Sequence, residues 1–460
     1  TVIATAVNDA PTITGAKGGQ TTNDTTPVKP FATAAVSDVD TGAEDALIIL
    51  VTNSSGVATD ADGALSGGGI TETSTPGLYS INAESPSSLT SALQSVVFTP
   101  SREEVTGTST LTTNFELIAV QQGAGGAVVT TTNTTTSLTV TQPLVFLGPA
   151  GGFGTIEGTS QPALIQAFGY VNTIYANGGN DSITTGSGNA TVYTDGGSDS
   201  IILGGFFNTV SGGDGSHGIY AVSGDSGNDT VLGGSGNNTV VLGNGNDTVE
   251  IGGSGNLVSV GNGNDIIDLS GSNNVVKAGS PTGTDTIILS TSGGGGEQVT
   301  GGDGNFSVSV GGTGDTVTLG NGANLVFATQ GMAFITTGAG NDTITLGGSG
   351  STVNAGGGTN VITGGSGGDT FVLPVVGVGF DFIANFTTSN GDVLDLIPAL
   401  AATHWNGQAS SLANYVQVAD SGDSAVISIS PTGNGAGSGI AVLEGAGNLT
   451  LNSLLSHLQT

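Results

Sequence analysis

The stretch "GNDTVLGGSGNNTVVLGNGNDTVEIGGSGNLVSVGNGNDIIDLSGSNNVV", residues 227–276, repeats with a period of nine. One position of each repeat is apolar and β-branched: Val231, Val240, Val249, Val258, Ile267 and Val276. Two residues earlier the side chain alternates between acid and amide: Asp229, Asn238, Asp247, Asn256, Asp265 and Asn274. The register extends both ways. Upstream it holds Ile156, Ile165, Ile174, Ile183, Val192, Ile201, Val210 and Ile219, then a three-residue insertion. Downstream, past two insertions at Ile287 and Val299, it runs unbroken from Val308 to Phe371. Val or Ile fills 23 of these 24 positions, a preference that suits strands.

A Gly-rich turn followed by a short strand, repeated at fixed length, predicts a solenoid. In "TVEI" (248–251), Val249 and Ile251 point inward while Thr248 and Glu250 point outward. Two nine-residue units make one 18-residue coil, so the expected fold is two thin parallel sheets back to back. Positions nine apart then lie on opposite edges. Asp181 stacks on Asp199, and Asp229, Asp247, Asp265 and Asp285 stack on one another, with Asn238, Asn256 and Asn274 on the facing edge. Coils lie about 4.8 Å apart. Carboxylates that close repel unless a cation lies between them. Carboxylates and turn carbonyls form an oxygen-only donor set, which suits calcium. An Asn stack can hydrogen-bond along itself without an ion. The competing reading is a row of solvated acidic turns.

Composition points the same way. Only 9% of the residues are charged, 4 basic against 36 acidic, giving a formal charge of −32. Nucleic-acid binders need clustered Lys and Arg, and anionic membranes also attract basic segments. Cysteine is absent, which removes disulfides and thiolate sites. No apolar run reaches the roughly 18 residues of a membrane span. The first residues, Thr1 to Val7, read as a strand and not as a secretory leader.

The chain reads as an all-β protein in sequential segments. Residues 1–142 show short alternating runs: Leu111, Thr113, Phe115, Leu117 and Ala119 share one face, and Leu138 and Val140 do the same later. They predict a β-sandwich, with one short helical turn at 89–96. Residues 143–152 read as a linker, 153–373 as the parallel β-roll, and 374–460 as a β-rich cap followed by a terminal signal region.

"GGDGSHGIY" (212–220) and "SGNDTVLGG" resemble the nonapeptide of repeats-in-toxin (RTX) proteins, Gly-Gly-x-Gly-x-Asp-x-apolar-x. The resemblance implies calcium held between neighbouring coils by Asp carboxylates and turn carbonyls. Carried onto this chain, the ligands are Asp181, Asp199, Asp229, Asp247, Asp265 and Asp285. Here the chain departs from the pattern. Half the slots are Asn or neutral, and His217 stands in an Asp slot, where it reads more readily as a neutral turn residue than as a ligand. Asp315, Asp342 and Asp369 follow at intervals of 27, which in an 18-residue coil places them on alternating edges; a three-sided coil would restack them. "FDFIANFTTSNGDVLDL" with "YVQVADSGDSAVISI" resembles the C-terminal target domain of type I secreted proteins, which implies export from a Gram-negative cell with an uncleaved C-terminal signal. Asp381, Asp392 and Asp395 match positions of a capping calcium there, against an equal reading as turn carboxylates. "AVNDAPTITG", "PFATAAVSDVD" and "LQSVVFTPS" resemble bacterial cadherin-like repeats, with Asp9, Asp38 and Asp40 as calcium candidates beside a plain acidic turn.

These features exclude no class by themselves but rank them. His217, His404 and His457 are scattered, no His-Glu-x-x-His pair exists, and "GAKGGQTTN" (15–23) lacks the P-loop order, so a non-enzymatic role is expected. The leading expectation is a secreted calcium-binding structural protein of the bacterial surface or matrix: an adhesin, a surface-layer subunit or a filament subunit. Its expected partners are calcium, further copies of the chain, and cell-surface polysaccharide. Val2, Ala4 and Ala6 alternate as a strand, so residues 1–8 could complete a neighbouring subunit by β-strand addition, or mark the boundary of a tandem array. The alternative is a secretion and folding module of a larger type I secreted hydrolase. A flat ice-binding Thr face fits Thr316, Thr318, Thr343 and Thr345, but Leu257, Ile266 and Val275 interrupt it.

Overall fold

The structure is a computed structural model that describes residues 8–459, apart from 24–25, 41, 102–109, 123–126, 142–143, 149–151, 223, 280, 282, 290–293 and 349. The strand expected at residues 1–8 therefore lies almost wholly outside the described residues. Two compact units divide between Phe146 and Leu147.

The first unit is built on a six-stranded sheet ordered Gln20–Asn23, Val128–Thr141, Thr110–Gln122, Asp45–Thr52, Leu78–Glu84, Thr71–Glu72. Its pairs are antiparallel except the first, which is parallel. Strand alternation explains the core: Leu47, Ile49 and Val51 share one face with Phe115, Leu117, Ala119, Leu138 and Val140, all buried. The facing layer holds two short strand pairs and a helix, Pro86–Ser95. The helix is longer than the single turn expected from 89–96. Ser85 caps it by accepting the Ser88 N–H, Pro86 stands at its start, and Leu89 and Leu93 are buried one turn apart. Phe115 meets Phe31 and Phe98 edge-on, with ring centres 5.3 and 5.4 Å apart.

The second unit is a parallel β-solenoid of two sheets, with fifteen and sixteen strands. All 24 apolar positions of the nine-residue register are buried, none more than 6% exposed. Successive repeats alternate between sheets, and each strand pairs with the one a full coil later, as Val249 does with Ile267 and Val258 with Val276. Insertions are absorbed in turns: Val210 pairs with Val231, and Ile219 with Val240, without a slip of register. The coil stays two-sided from Val299 to Phe371, so the three-sided alternative is not adopted.

The sheets extend beyond the segment that carries the periodic pattern. Leu144–Leu147, within the stretch read as a linker, is the first strand of the fifteen-stranded sheet. Past residue 374, Gly379–Ala384 and Val393–Asp395 still add one strand to each sheet. Leu458–Gln459 then ends one sheet; in the other, Ser438–Leu443 pairs in parallel with Gly379–Ala384, and Ser424–Ile429 and Val416–Ser421 follow antiparallel. Stacking turns need Gly where coils touch. Gly245 has φ +144°, and a Cβ there would land on the Gly227 carbonyl of the coil before. No helix among the described residues is long and apolar enough to cross a membrane.

Because the inward row carries the packing and the outward row little of it, Ile267→Ala should lower stability by about 2–5 kcal/mol. Thr248→Ala should stay within about 0.5 kcal/mol. Denaturant melts of the calcium-loaded protein check both.

Candidate metal sites

At most coils the residue two places before the inward Val or Ile stands at the entry to a strand, usually just ahead of its first residue, and its side chain turns inward rather than toward solvent. Asp181, Asp199, His217, Asn238, Asn256, Asn274, Glu297, Asp315, Ala333, Ser351, Asp369 and Asp392 line the edge of the fifteen-stranded sheet. Asp229, Asp247, Asp265, Asp285, Asn324, Asp342, Asn360 and Asp381 stand on the edge of the other sheet. Their polar members are nearly all at most 3% exposed, which rules out a row of solvated acidic turns.

One hydrogen bond recurs through both columns. Where the slot one coil later carries an oxygen, the main-chain N–H of a slot residue donates to it in nearly every case; Asp199 N instead meets the His217 ring. Asp229 N donates to Asp247 Oδ1 at 2.8 Å, Asp247 N to Asp265 Oδ1 at 2.8 Å, and Asp265 N to Asp285 Oδ1 at 2.9 Å. Asn238 N donates to Asn256 Oδ1 at 2.8 Å and Asn256 N to Asn274 Oδ1 at 3.0 Å.

Asp and Asn differ in the second side-chain atom. Asn238 Nδ2 donates to the Gly236 carbonyl at 3.0 Å and to Asn256 Oδ1 at 3.1 Å. Asn256 Nδ2 reaches the Gly253 carbonyl at 3.1 Å and Asn274 Oδ1 at 3.0 Å. Asn324 Nδ2 reaches the Gly322 carbonyl at 3.0 Å and Asp342 Oδ1 at 2.9 Å. The amide thus supplies positive hydrogens to its own turn and to the next coil. An Asp in the same slot has an acceptor oxygen there instead. Oδ2 of Asp181, Asp247, Asp265, Asp285, Asp315 and Asp342 is buried with no partner. An orphaned carboxylate oxygen in a Gly-rich turn is completed by a proton or by a hard cation. The donor set therefore fits calcium, which would supply the charge that an Asn amide supplies elsewhere.

The energetics agree. Burial, followed by the neighbouring carboxylates, pushes Asp247 up to about 7 and Asp265 up to about 6, against the hydrogen bond that each accepts. Burial raises Asp181 to about 7, with Asp199 adding to it. Asp229, Asp285, Asp315, Asp342 and Asp369 are raised by burial as well. The strongest candidate is the run from Asp229 to Asp285, four carboxylates on consecutive coils. Asp225, which the sequence reading passed over, adds a fifth. It is buried in the insertion before Asp229, has an unpartnered Oδ2, and raises Asp229 and Asp247. Glu297 was also passed over, although its place two residues before Val299 marks it. It fills a slot, accepts the Asn274 N–H at 2.8 Å, has an orphaned Oε1, and is pushed by burial up to about 7.

Other expected ligands sort differently. Asp199 faces His217, whose Nδ1 is 3.0 Å from Asp199 Oδ2 and whose Nε2 is 3.2 Å from the Gly213 carbonyl. His217 is 2% exposed, so it is not a neutral residue of an open turn. Burial alone would lower its imidazole, but the Asp199 hydrogen bond and the Gly213 carbonyl outweigh burial and raise it. The imidazole fills the place of a cation. Asp342 stands between Asn324 and Asn360, on the opposite edge from Asp315 and Asp369, so these three do not stack with one another. Both oxygens of Asp369 accept N–H groups, from Ser351 and Gly365, and both of Asp392 do, from Asp369 and Thr387. Asp381 accepts Asn360 Nδ2 in the other column, and burial pushes it up to about 7. Asp395 accepts the Ile397 N–H. Asp381 and Asp392 thus belong to different edges, which corrects the expectation of one capping site shared with Asp395. Among the described residues, no three Asp, Glu, His or Cys converge on a single point. Any ion would rely on turn carbonyls and water for its remaining ligands.

A family model, the RTX calcium-binding nonapeptide repeat in four copies, matches residues 169–192, 222–250 and 336–371. The chain thus carries calcium-binding RTX repeats, and such repeats support calcium as its ion and export from the cell. No curated protein and no solved structure matches the chain.

Replacing Asp247 by Asn should have opposite effects with and without the ion. In chelator at pH 8, Asp247→Asn should raise the melting temperature, because the amide completes the turn. In calcium it should reduce the ion-dependent rise more than Asn256→Ala does. Thermal melts followed by circular dichroism, with calorimetric calcium titration, read both effects. The pH dependence has a definite sign. The unfolded value is 3.8 and the folded values reach about 7, so the folded column holds protons more tightly. Metal-free stability should be fully present below about pH 4 and be lost as pH rises through about 7. Calcium should abolish that loss, and melts at pH 5 and pH 8 decide it.

Proposed function

We propose that this chain is an extracellular structural protein of the bacterial cell surface or matrix, serving as an adhesin, surface-layer or filament subunit, and that calcium outside the cell completes its fold. The observation that carries this reading is the column of buried carboxylates from Asp229 to Asp285, with unpartnered oxygens on Asp247, Asp265 and Asp285. Such a column is unfavourable as a set of bare charges and favourable once a divalent ion is shared along it. At the low calcium of a cytosol the columns repel, which suits passage through an exporter as an unfolded chain. Extracellular modules bind calcium with dissociation constants of about 10⁻⁴–10⁻³ M, so calcium near 10⁻³ M drives folding by mass action. The residues divide the work: the Val and Ile rows form the core, Asn slots close their turns unaided, and Asp slots make closure conditional on the ion.

A structural role is supported by the long regular faces and by the scattering of the three histidines among unrelated settings. His217 is locked to Asp199, and His457 Nδ1 is 2.9 Å from the Asp392 carbonyl.

Sedimentation velocity across a calcium titration tests the proposal. An expanded chain that compacts and then forms large regular assemblies fits a layer or filament subunit. Compaction to a lasting monomer fits the end of an adhesin, or the folding module of a larger secreted hydrolase. No calcium-dependent compaction overturns the reading. Hydrogen exchange should show chelator exposing residues 153–373 before the first sheet.

A further inference from the structure

A second cluster of orphaned oxygens lies in the first unit, away from the nine-residue repeat. Asp45 opens the strand Asp45–Thr52 in an inward position, continuous with Leu47, Ile49 and Val51. It is 0% exposed, and neither carboxylate oxygen has a partner. Gln121 lies directly across the antiparallel pair from it, at an inward position of Thr110–Gln122. Side chains opposite each other in such a pair share one face. Gln121 is 4% exposed, and its Oε1 is also without a partner. The third contributor is Asp38. Its Oδ1 accepts the Asp40 N–H at 2.7 Å, as an acidic turn requires, but its Oδ2 is buried and unpartnered. Asp40 is engaged elsewhere, since its Oδ2 accepts the Asp9 N–H at 2.9 Å. Asp38 is close enough to interact directly with Asp45, and burial, then Asp38 and Asp40, push Asp45 up to about 6.

We propose that Asp45, Asp38 and Gln121 form a separate calcium site in the first unit, with four side-chain oxygens as ligands. A shared proton would satisfy one oxygen pair between Asp38 and Asp45 and leave Gln121 Oε1 and a second Asp45 oxygen buried without a partner. A hard cation satisfies all four at once, and an oxygen-only set completed by main chain or water suits calcium. The site would tie the turn after Ala35–Ser37 to the end of the central sheet, a junction of three separate chain segments. It is independent of the solenoid columns and stands or falls without them.

Hydrogen-exchange mass spectrometry on the full chain tests it, reading peptides that cover 45–52 and 113–122 in chelator and in 1 mM calcium. Calcium should raise their protection about tenfold if the dissociation constant is near 10⁻⁴ M. Asp45→Asn should remove that gain and leave the calcium response of the solenoid peptides intact. Gln121→Glu adds a carboxylate, so it should weaken protection in chelator and recover it in calcium. Two results would overturn the site. One is equal protection of the wild-type peptides with and without calcium, which means that Asp38 and Asp45 share a proton. The other is a Gln121→Glu protein that calcium does not rescue, which means that the Gln121 amide N–H groups serve Asp45 instead.

Discussion

The solenoid depends on one repeated interaction: at the entry to most strands a main-chain N–H donates to a buried side-chain oxygen one coil later. That bond satisfies a main-chain donor that the parallel ladder cannot reach at the strand end. It also commits the acceptor to a position surrounded by turn carbonyls. What the second atom of that side chain is then decides whether the turn closes. In Asn238, Asn256 and Asn324 it is an N–H group, and the turn is complete. In Asp247, Asp265 and Asp285 it is an oxygen, and the turn lacks a positive partner. His217 is a third solution, an imidazole spanning Asp199 and a turn carbonyl.

This separates two properties that share one coil. The apolar rows are the same through acid and amide slots, so hydrophobic burial is uniform along the array. The polar slots are not uniform, so the calcium requirement is concentrated. Because each coil contacts mainly its neighbours, local deficits act locally and propagate through adjacent coils. The unpartnered oxygens of Asp247, Asp265 and Asp285 stand on consecutive coils, so there the deficits are contiguous over the longest run among the described residues. After Glu297 and Asp315 they are isolated between neutral slots, and at Asp369 and Asp392 main-chain N–H groups remove them.

The first unit meets the same problem by different means. Its sheet joins segments distant in sequence, and its core is a close-packed set around Phe115, Phe31 and Phe98. Polar orphans collect where the inner face runs out, at Asp45 and Gln121. In both units acceptor oxygens outnumber donors at sheet edges, which is the physical content of a chain with 36 acidic and 4 basic residues.

By itself the sequence determined the register of the solenoid, the identity of its buried rows and the place where acids become contiguous, while the edges of Asp315, Asp342 and Asp369 were settled only by the two-sided coil. A strict period leaves no freedom in these, because a slip of one residue would turn every Val and Ile outward. Tertiary structure decided the rest. Periodicity says which face a strand residue occupies, but not whether a residue at the strand's first bend turns into the core; burial of Asp247 and its hydrogen bond to Asp229 appear only once coils are stacked. The same holds for the pairing of His217 with Asp199, for Asp225 in an insertion outside the register, and for Gly365 and Thr387 satisfying Asp369 and Asp392. Asp45, Asp38 and Gln121 follow no repeat, and only the antiparallel pairing of two distant strands brings Asp45 and Gln121 to one face.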